Sequence, residues 1–210
     1  HSTIKNLAAR NLYHASDELK NMFFSIHLQQ DCRKFFGFKT SLGTYRYTRL
    51  PFGFSWSPFI AHVAIDEICK RALEAGFDLT HYLDGFHYFG KTAAEVTACR
   101  EFVRNLLAEA GWRLNDSKST SVSQTFQALG VMYDLINKTS FIPEAMVAEL
   151  RLRHNELTTA NSKTTRKQIA SFVGCLVFFN VAHPGILANF SSVLAFLKAG
   201  GGDWRKFYNY

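Results

Sequence analysis

The chain has 210 residues, of which 47% are hydrophobic and 20% charged, enough apolar material for one domain with an attached subdomain. The 24 lysines and arginines outnumber the 17 aspartates and glutamates, so the net charge is +7. This excess indicates an anionic partner, either nucleic acid or a membrane surface. The composition excludes collagen-like, low-complexity and coiled-coil proteins.

The cysteines and the apolar stretches bear on location. The 4 cysteines are far apart in the chain and form no zinc-binding pattern, so we expect reduced thiols in an intracellular protein, nuclear or cytoplasmic. No signal peptide is visible. The longest uncharged apolar stretch, residues 169–182, is shorter than the ~18 residues of a membrane span. We therefore expect no membrane partner.

The first half of the chain predicts strands followed by a helix. The apolar run over residues 22–28 predicts a strand. Residues 33–49 alternate aromatic with basic side chains and predict a hairpin with its turn near Leu42-Gly43. Ser57 as N-cap, with Pro58 at the first helical position, predicts a helix over residues 57–73 that Gly76 ends.

The next predicted element is a second hairpin. Residues 79–89 form two short strands joined by Asp84-Gly85, a strong hairpin signal. A capping box at Thr92 and Glu95 begins a helix that ends at Gly111. Short strands are predicted around residues 112–114 and 126–133.

After Pro143 the pattern predicts helices only. The three helices cover residues 144–157, a segment from the capping box at Thr165 and Gln168 to just before Pro184, and residues 187–198. Strands and helices therefore mix up to about residue 140, and helices follow. The fold class is α+β with a helical subdomain.

Several segments with chemistry-bearing residues follow one another in a distinctive order. In chain order they are Asp17-Glu18 ahead of Phe23-Phe24, Leu50-Pro51-Phe52-Gly53, Tyr82-Leu83-Asp84-Gly85, residues 111–118, Phe126 to Gly130, and residues 165–174 ahead of Pro184. In this order they resemble the palm and thumb of reverse transcriptases, most closely those of LTR and DIRS-type retrotransposons and retroviruses. The resemblance runs from about residue 16 to the end.

The resemblance implies an architecture and a chemistry. Residues 1–140 would form a polymerase palm, an antiparallel sheet packed on helices, with partial fingers, and residues 141–210 a helical thumb or connection. In this family two carboxylates hold two divalent metal ions, Mg²⁺ or Mn²⁺, for nucleotidyl transfer. Asp84 matches the first aspartate of the YxDD turn. Glu18 falls at the position of the strand aspartate with Asp17 just before it, and Lys118 matches the lysine proposed to protonate pyrophosphate.

The same resemblance implies contacts with substrate. Phe23 matches the aromatic residue that selects deoxynucleotides, and Phe52 and Gly53 lie where the incoming nucleotide and template would pass. RNA or DNA is the implied partner, besides protein partners or further polymerase subdomains. The candidate nucleic-acid contacts are Arg33, Lys34, Arg46 and Arg49 in the aromatic hairpin and Arg151, Arg153, Arg166 and Lys167 in the thumb.

The sequence departs from the family pattern at the catalytic positions. Gly85 replaces the second aspartate of the turn, and Glu18 stands where an aspartate is expected. Asp17 could substitute only through a β-bulge, because a one-residue shift turns a strand side chain to the opposite face. The basic fingers residues that hold the triphosphate are largely missing. These departures favour a catalytically dead or impaired domain.

Three hypotheses therefore remain. In the first, the domain derives from a retroelement, has lost catalysis and binds nucleic acid or serves in assembly. In the second, it is an active RNA-directed DNA polymerase fragment that uses Asp84 with Glu18 or Asp17. In the third, it is a protein-interaction scaffold without nucleic-acid binding. The histidines, which show no HxH or HxxxH spacing, are expected to be structural or on the surface: His14, His27, His62, His81 and His87.

Overall fold

A computed structural model describes residues 1–159, 163–198 and 207–209. The chain divides into two compact units. The sheet unit comprises Ser2–Phe126 and Leu135–Asn137. The helical unit comprises His1, Gln127–Asp134 and the described part of Lys138–Tyr210. Helices and strands mix in this fold, as the predicted α+β class requires. Within the described ranges, no helix combines the length and apolar character needed to cross a membrane.

The sheet unit contains four α-helices and five strands. In chain order they are α1 (Ser2–Arg10), β1 (Tyr13–Glu18), α2 (Met22–Ser25), β2 (Gly37–Thr40), β3 (Gly43–Arg46), α3 (Ser57–Glu74), β4 (Asp78–Tyr82), β5 (Gly85–Gly90) and α4 (Ala93–Glu109). The 3-10 helix Gln30–Phe35 lies between α2 and β2, and the 3-10 helix Asp116–Lys118 follows α4. Strands β2 and β3 form a hairpin of their own.

A three-stranded antiparallel sheet of order β1-β5-β4 is the centre of this unit. The register is continuous, from Tyr13 opposite Gly90 to Glu18 opposite Gly85. Since paired residues of an antiparallel sheet share a face, the register divides the side chains in two. The inner face carries Ala15, Asp17, Leu79, His81, Phe86 and Tyr88, and its apolar members join the core that α3 and α4 complete. The outer face carries His14, Ser16, Glu18, Tyr82, Gly85 and His87.

One predicted element near the start is wrong, and two observed elements were missed. The run after Asn21 forms the short helix α2 rather than a strand, because Asn21 adopts a left-handed conformation with φ 54° that ends the extended chain. The strand lies earlier, in β1, whose polar residues hid it from an apolar-run search. Helix α1 was not predicted either.

The aromatic hairpin and the helix after it are confirmed with changes at their edges. The hairpin is shorter than residues 33–49 because Gln30–Phe35 is a 3-10 helix, but its turn does lie at residues 41–42. Helix α3 begins at Ser57, with Trp56 as its N-cap. The Ser57 hydroxyl instead donates a hydrogen bond to the carbonyl of Pro51 at 2.6 Å.

Helix α4 has the predicted cap. The Thr92 hydroxyl accepts from the backbone of Glu95 at 3.2 Å, and the Glu95 carboxylate accepts from the backbone of Lys91 at 2.8 Å. The predicted strand at residues 112–114 is wrong, since only Leu114 forms a bridge, with Leu19.

A second small sheet follows, in the order β6-β7-β8, from strands β6 (Thr125–Ala128), β7 (Val131–Asp134) and β8 (Thr139–Phe141). The predicted strand over residues 126–133 is thus two strands. They are separated by Leu129 and Gly130, whose φ angles are 49° and 78°. Positive φ at both turn residues is the requirement of a tight hairpin turn.

The helices of the helical unit are α5 (Glu144–Thr158), α6 (Arg166–Phe179) and α7 (Ser191–Lys198), with a 3-10 helix at Ile186–Phe190. The capping box at Thr165 and Gln168 is present in both directions. The prediction of helices alone is wrong, because β9 (Lys163–Thr165) pairs with β10 (Phe207–Asn209).

Candidate functional site

The catalytic candidates Glu18 and Asp84 meet at one end of the central sheet. Glu18 ends β1 opposite Gly85, and the backbone of Leu19 donates a hydrogen bond to the carbonyl of Asp84 at 2.8 Å. The loop between β4 and β5 is Leu83-Asp84 rather than Asp84-Gly85, with Leu83 at φ 51°. The register therefore places both carboxylates at the same edge.

The third candidate, Lys118, is held at this edge by backbone contacts. The backbone of Asn115 donates to the carbonyl of Glu18 at 2.7 Å, and that of Lys20 donates to the carbonyl of Arg113 at 2.8 Å. The Lys118 ammonium then forms an ion pair with the Glu18 carboxylate. The hydrogen bond that Lys118 donates to Glu18, the charge of Glu18 and the charge of Asp84 raise the pKa of Lys118. The site therefore combines one positive charge with two carboxylates.

Asp17 does not belong to this edge. Its fully buried carboxylate lies on the inner face, where the guanidinium of Arg100 donates at 3.1 and 2.6 Å and that of Arg104 at 2.8 and 2.7 Å. The hydroxyl of Tyr88 donates at 3.2 Å. Burial raises the pKa of Asp17, but hydrogen bonds from Arg104 and Arg100 outweigh it and lower the pKa overall. Because β1 has no bulge, the expectation that Asp17 could replace Glu18 as a ligand is wrong.

Gly85 is not required by the backbone. Its φ is not in the left-handed region, and an added Cβ would find its nearest neighbour, the carbonyl oxygen of Tyr82, at 3.6 Å. That distance is ordinary van der Waals contact. A side chain at position 85 would therefore fit, so the geometry of the turn does not explain why the chain has no carboxylate there.

The implied metal ions can be compared with these donors. Carboxylate oxygens are the ligands that Mg²⁺ prefers, and Glu18 and Asp84 supply them. With Lys118 paired to Glu18, the formal charge of the three side chains is −1. Two divalent ions bring a charge of +4. The negative charge of these side chains is therefore too small to balance one divalent ion, and they do not fit two.

The candidate nucleotide-binding aromatics come together with one another. The ring of Phe52 meets the ring of Phe23 edge-on at 4.9 Å and that of Phe24 at 5.2 Å. Phe52 keeps 64% of its surface exposed. Gly53 follows with φ 82°, a conformation that favours glycine. The structure therefore brings the rings of Phe23, Phe24 and Phe52 together, with that of Phe52 exposed, and their contact with a nucleotide stays a prediction.

The basic residues of the aromatic hairpin divide into those that donate to backbone carbonyls and those exposed to solvent. Arg33 donates to the carbonyl of Leu28 at 3.1 Å, and Arg49 donates to the carbonyl of Ser25 at 3.3 Å. Lys34 and Arg46 are exposed. Lys34 and Arg46 thus remain the stronger candidates for contact with phosphates.

The thumb candidates divide similarly. Arg151 and Arg153 form ion pairs with Glu144 and Glu149 on their own helix, at 3.1 and 2.6 Å. Lys167 is exposed. Arg166 is 4% exposed, donates to the carbonyl of Phe196 at 2.6 Å and lies over its ring. The expectation that Arg166 contacts nucleic acid is therefore wrong, since its guanidinium is part of the core of the helical unit.

Sequence reasoning missed several partners. Arg100 and Arg104 lie one turn apart on α4, so their side chains project from the same face of the helix, where both reach Asp17. His14 and His87 are structural as expected, with Nε2 of His14 at 2.9 Å from Nδ1 of His87 and the ring of His14 stacked on Phe126 at 3.7 Å.

Comparisons with known proteins agree with this geometry. A family profile described as reverse transcriptase (RNA-dependent DNA polymerase) matches residues 2–133. The putative enzymatic polyprotein of Cassava vein mosaic virus is 25% identical over 122 residues, 58% of this chain and 18% of that protein.

Among solved structures, the fold resembles the foamy viral protease-reverse transcriptase. The complex with double-stranded DNA of the form designated dRH has a TM-score of 0.77 at 20% identity, covering 97% of this chain and 34% of that one. The complex with an RNA/DNA hybrid has a TM-score of 0.75 at 20% identity, covering 99% and 27%. The chain thus spans about a third or less of these relatives. Since the family profile covers more than half of it, the chain belongs to the reverse transcriptase (RNA-dependent DNA polymerase) family.

Proposed function

We propose that this domain of retroelement origin binds nucleic acid and has lost, or retains only a trace of, nucleotidyl transfer. Residues 1–140 would serve as a palm with partial fingers, and residues 141–210 as a thumb. The observation that carries the proposal is the Glu18–Lys118 ion pair beside Gly85. Of the two candidate ligands, Glu18 is therefore already hydrogen-bonded to Lys118, and Asp84 is not.

Electrostatics explains why this arrangement impairs catalysis. Two-metal transfer needs enough negative charge to hold both ions at the attacking and leaving oxygens. A third carboxylate at position 85 would change the formal charge of the edge from −1 to −2. Removal of the Lys118 charge as well would bring it to −3. The chain has neither change, so it holds the polymerase geometry with weakened metal binding.

Retained nucleic-acid binding is supported by the other surfaces of the chain. The net charge is +7, Lys34, Arg46 and Lys167 are exposed, and Phe52 offers a ring on which a base can stack. Solved structures with the same fold were obtained with double-stranded DNA and with an RNA/DNA hybrid. None of these features depends on the metal-binding edge.

A salt series tests the binding. Each duplex phosphate neutralised by a cation adds about 0.9 to the slope of log K against log salt. For an RNA/DNA hybrid, the double variant Lys34→Ala/Arg46→Ala should lower that slope by about 2, whereas Lys70→Ala, an exposed lysine on α3, should leave it unchanged. No measurable binding at low salt would contradict the proposal and favour a protein-interaction scaffold.

An active polymerase fragment is the second candidate. It is favoured by one observation, the convergence of Glu18 and Asp84 at one end of the central sheet, where the charges of both act on Lys118. In that case Lys118 would have to leave Glu18 when metal and substrate bind. Primer extension separates the two candidates.

A further inference from the structure

A second group of possible metal ligands lies on the inner face of the sheet, away from Glu18 and Asp84. Donor atoms of His62, Asp66 and His81 all lie within 4.8 Å of one another. Among the described residues, this is the group of histidine, cysteine and acidic side chains whose spacing could hold a metal ion. His62 and Asp66 belong to α3, and His81 belongs to β4. From this geometry we propose that the three residues bind a transition-metal ion of the Zn²⁺ class.

Helix and strand geometry bring the three side chains together. His62 and Asp66 are four residues apart on α3, so they project from the same side of the helix. His81 is paired with Phe86 across the sheet and therefore points to the inner face, toward α3. Its Nε2 lies 3.4 Å from Oδ1 of Asp66. Two ligands of a tetrahedral Zn²⁺ ion are separated by about 3.3 Å, given bonds of ~2.0–2.1 Å.

The protonation state suits a metal ligand. Burial and then the neighbouring His62 ring lower the pKa of His81, against the opposing effects of Asp66 and the backbone of Leu83. A lowered pKa favours the neutral imidazole, which is the form that ligates a metal ion. Its side chain is 5% exposed whereas that of Asp66 is 69% exposed. The site thus has a buried ligand and an open approach from solvent.

The donor set selects the class of metal. Two imidazole nitrogens and one carboxylate oxygen suit Zn²⁺, Co²⁺, Ni²⁺ or Fe²⁺, whereas Mg²⁺ prefers oxygen donors alone. The rings of His62 and His81 are stacked with centroids 4.3 Å apart, so binding requires the more accessible His62 ring to rotate outward. Water would complete the coordination of the ion.

A bound ion would connect the edge strand β4 to α3. β4 is the outer strand of the sheet, with a neighbour on one side only. His81 lies three residues before Asp84, so the ion would stabilise the strand that carries the hairpin of the polymerase edge. Stabilisation would rise with free metal concentration, as for any ligand that binds the folded state alone.

Metal titration of the purified chain tests the site. We expect one equivalent of Zn²⁺ to bind with micromolar affinity in millimolar Mg²⁺, and Co²⁺ to give visible absorption bands. His62→Ala and Asp66→Asn should each weaken binding at least tenfold and remove the Zn²⁺-dependent rise in melting temperature. His27→Ala, an exposed histidine of the same unit, is the matched control and should bind as the parent does.

Both variants change partly exposed side chains on a helix surface, so folding is preserved and is verified by circular dichroism. The proposal is overturned if the parent binds no Zn²⁺ below millimolar concentration. It is equally overturned if His62→Ala and Asp66→Asn bind as tightly as the parent, because the ion would then be held elsewhere, at the His14–His87 pair or the cysteines. Neither result would bear on nucleic-acid binding, which is measured in metal-free buffer.

Discussion

The two faces of the central sheet treat neighbouring carboxylates in opposite ways. On the inner face Asp17 is enclosed by Arg100, Arg104 and Tyr88 and has no contact with solvent. On the outer face the carboxylate of Glu18, one residue later, pairs with the exposed ammonium of Lys118. Strand alternation alone separates a carboxylate that holds the fold together from one that can bind a ligand.

The outer face itself changes character along β1. At its start His14 is buried with its ring stacked on Phe126, and His87 beside it is half-buried. At its end Glu18 and Gly85 lie beside the hairpin loop, and the Glu18 side chain is 29% exposed. The His14 end of β1 is therefore buried like the inner face, whereas the Glu18 end is more exposed and carries the candidate site.

The largest expected effect is on the inner face. Asp17→Asn should lower the free energy of unfolding by about 3–5 kcal/mol, because it leaves two arginines beside a buried neutral group. Urea denaturation followed by circular dichroism measures this change.

Glu18→Gln is the matched control, one residue away and with the same chemical change. It should leave the urea midpoint of the parent unaltered, since its partner Lys118 is exposed. If Asp17→Asn were as stable as Glu18→Gln, the contrast between the two faces would be refuted.

The His14 end of β1 predicts a loss of stability in acid. Burial and then the charge of His87 lower the pKa of His14 to about 2, and burial lowers that of His87 to about 4. Unfolded histidines take up protons near pH 6.5, so the stabilising contribution is complete above that pH and declines as the pH falls toward 4. The slope is at most about 1.4 kcal/mol per pH unit for each histidine.

Denaturation midpoints between pH 7 and 5 check this slope. Asp17 stays ionised across the range because its pKa is lowered, so it does not contribute. His14→Phe, which keeps a ring against Phe126, should show a shallower pH dependence than the parent. An equal slope in both proteins would mean that this pair does not govern the acid response.

The smallest effect on stability is expected at the Glu18 end of β1. Lys118→Gln and Gly85→Asp should leave the melting temperature near that of the parent, because Lys118 is exposed and a side chain fits at position 85. Both should tighten Mn²⁺ binding several-fold by making the edge more negative, with the double variant binding most tightly. Electron paramagnetic resonance of free Mn²⁺ measures this, and Asp84→Asn in the same background should reverse the gain.

The sequence predicted the parts of the fold that depend on local chemistry. The capping residues Thr92 and Thr165 and the alternation of residues 37–46 were sufficient to place α4, α6 and the β2-β3 hairpin. Strand β1 was not predicted, because its polar residues Ser16 and Asp17 form hydrogen bonds with segments that are distant in the chain. Partners 83 and 87 residues away in the chain leave no local pattern.

The candidate site shows the same division. The order of motifs predicted Glu18, Asp84, Lys118 and Phe52; the register places Glu18 and Asp84 at one end of the sheet, and backbone contacts of residues 113–115 bring Lys118 there. Exposure could not be inferred, so Arg166 was assigned to a surface when its guanidinium is buried. The His62, Asp66 and His81 group was missed because the HxH and HxxxH patterns pair histidine with histidine, whereas His62 pairs with an aspartate one helical turn away.

Primer extension tests the central claim most directly. The chain is incubated with a primer annealed to an RNA template, deoxynucleotides and either Mg²⁺ or Mn²⁺, at a protein concentration that saturates the duplex. We predict binding of the duplex without extension of the primer. Template-dependent extension by the parent chain that Asp84→Asn abolishes would contradict the account and establish an active polymerase.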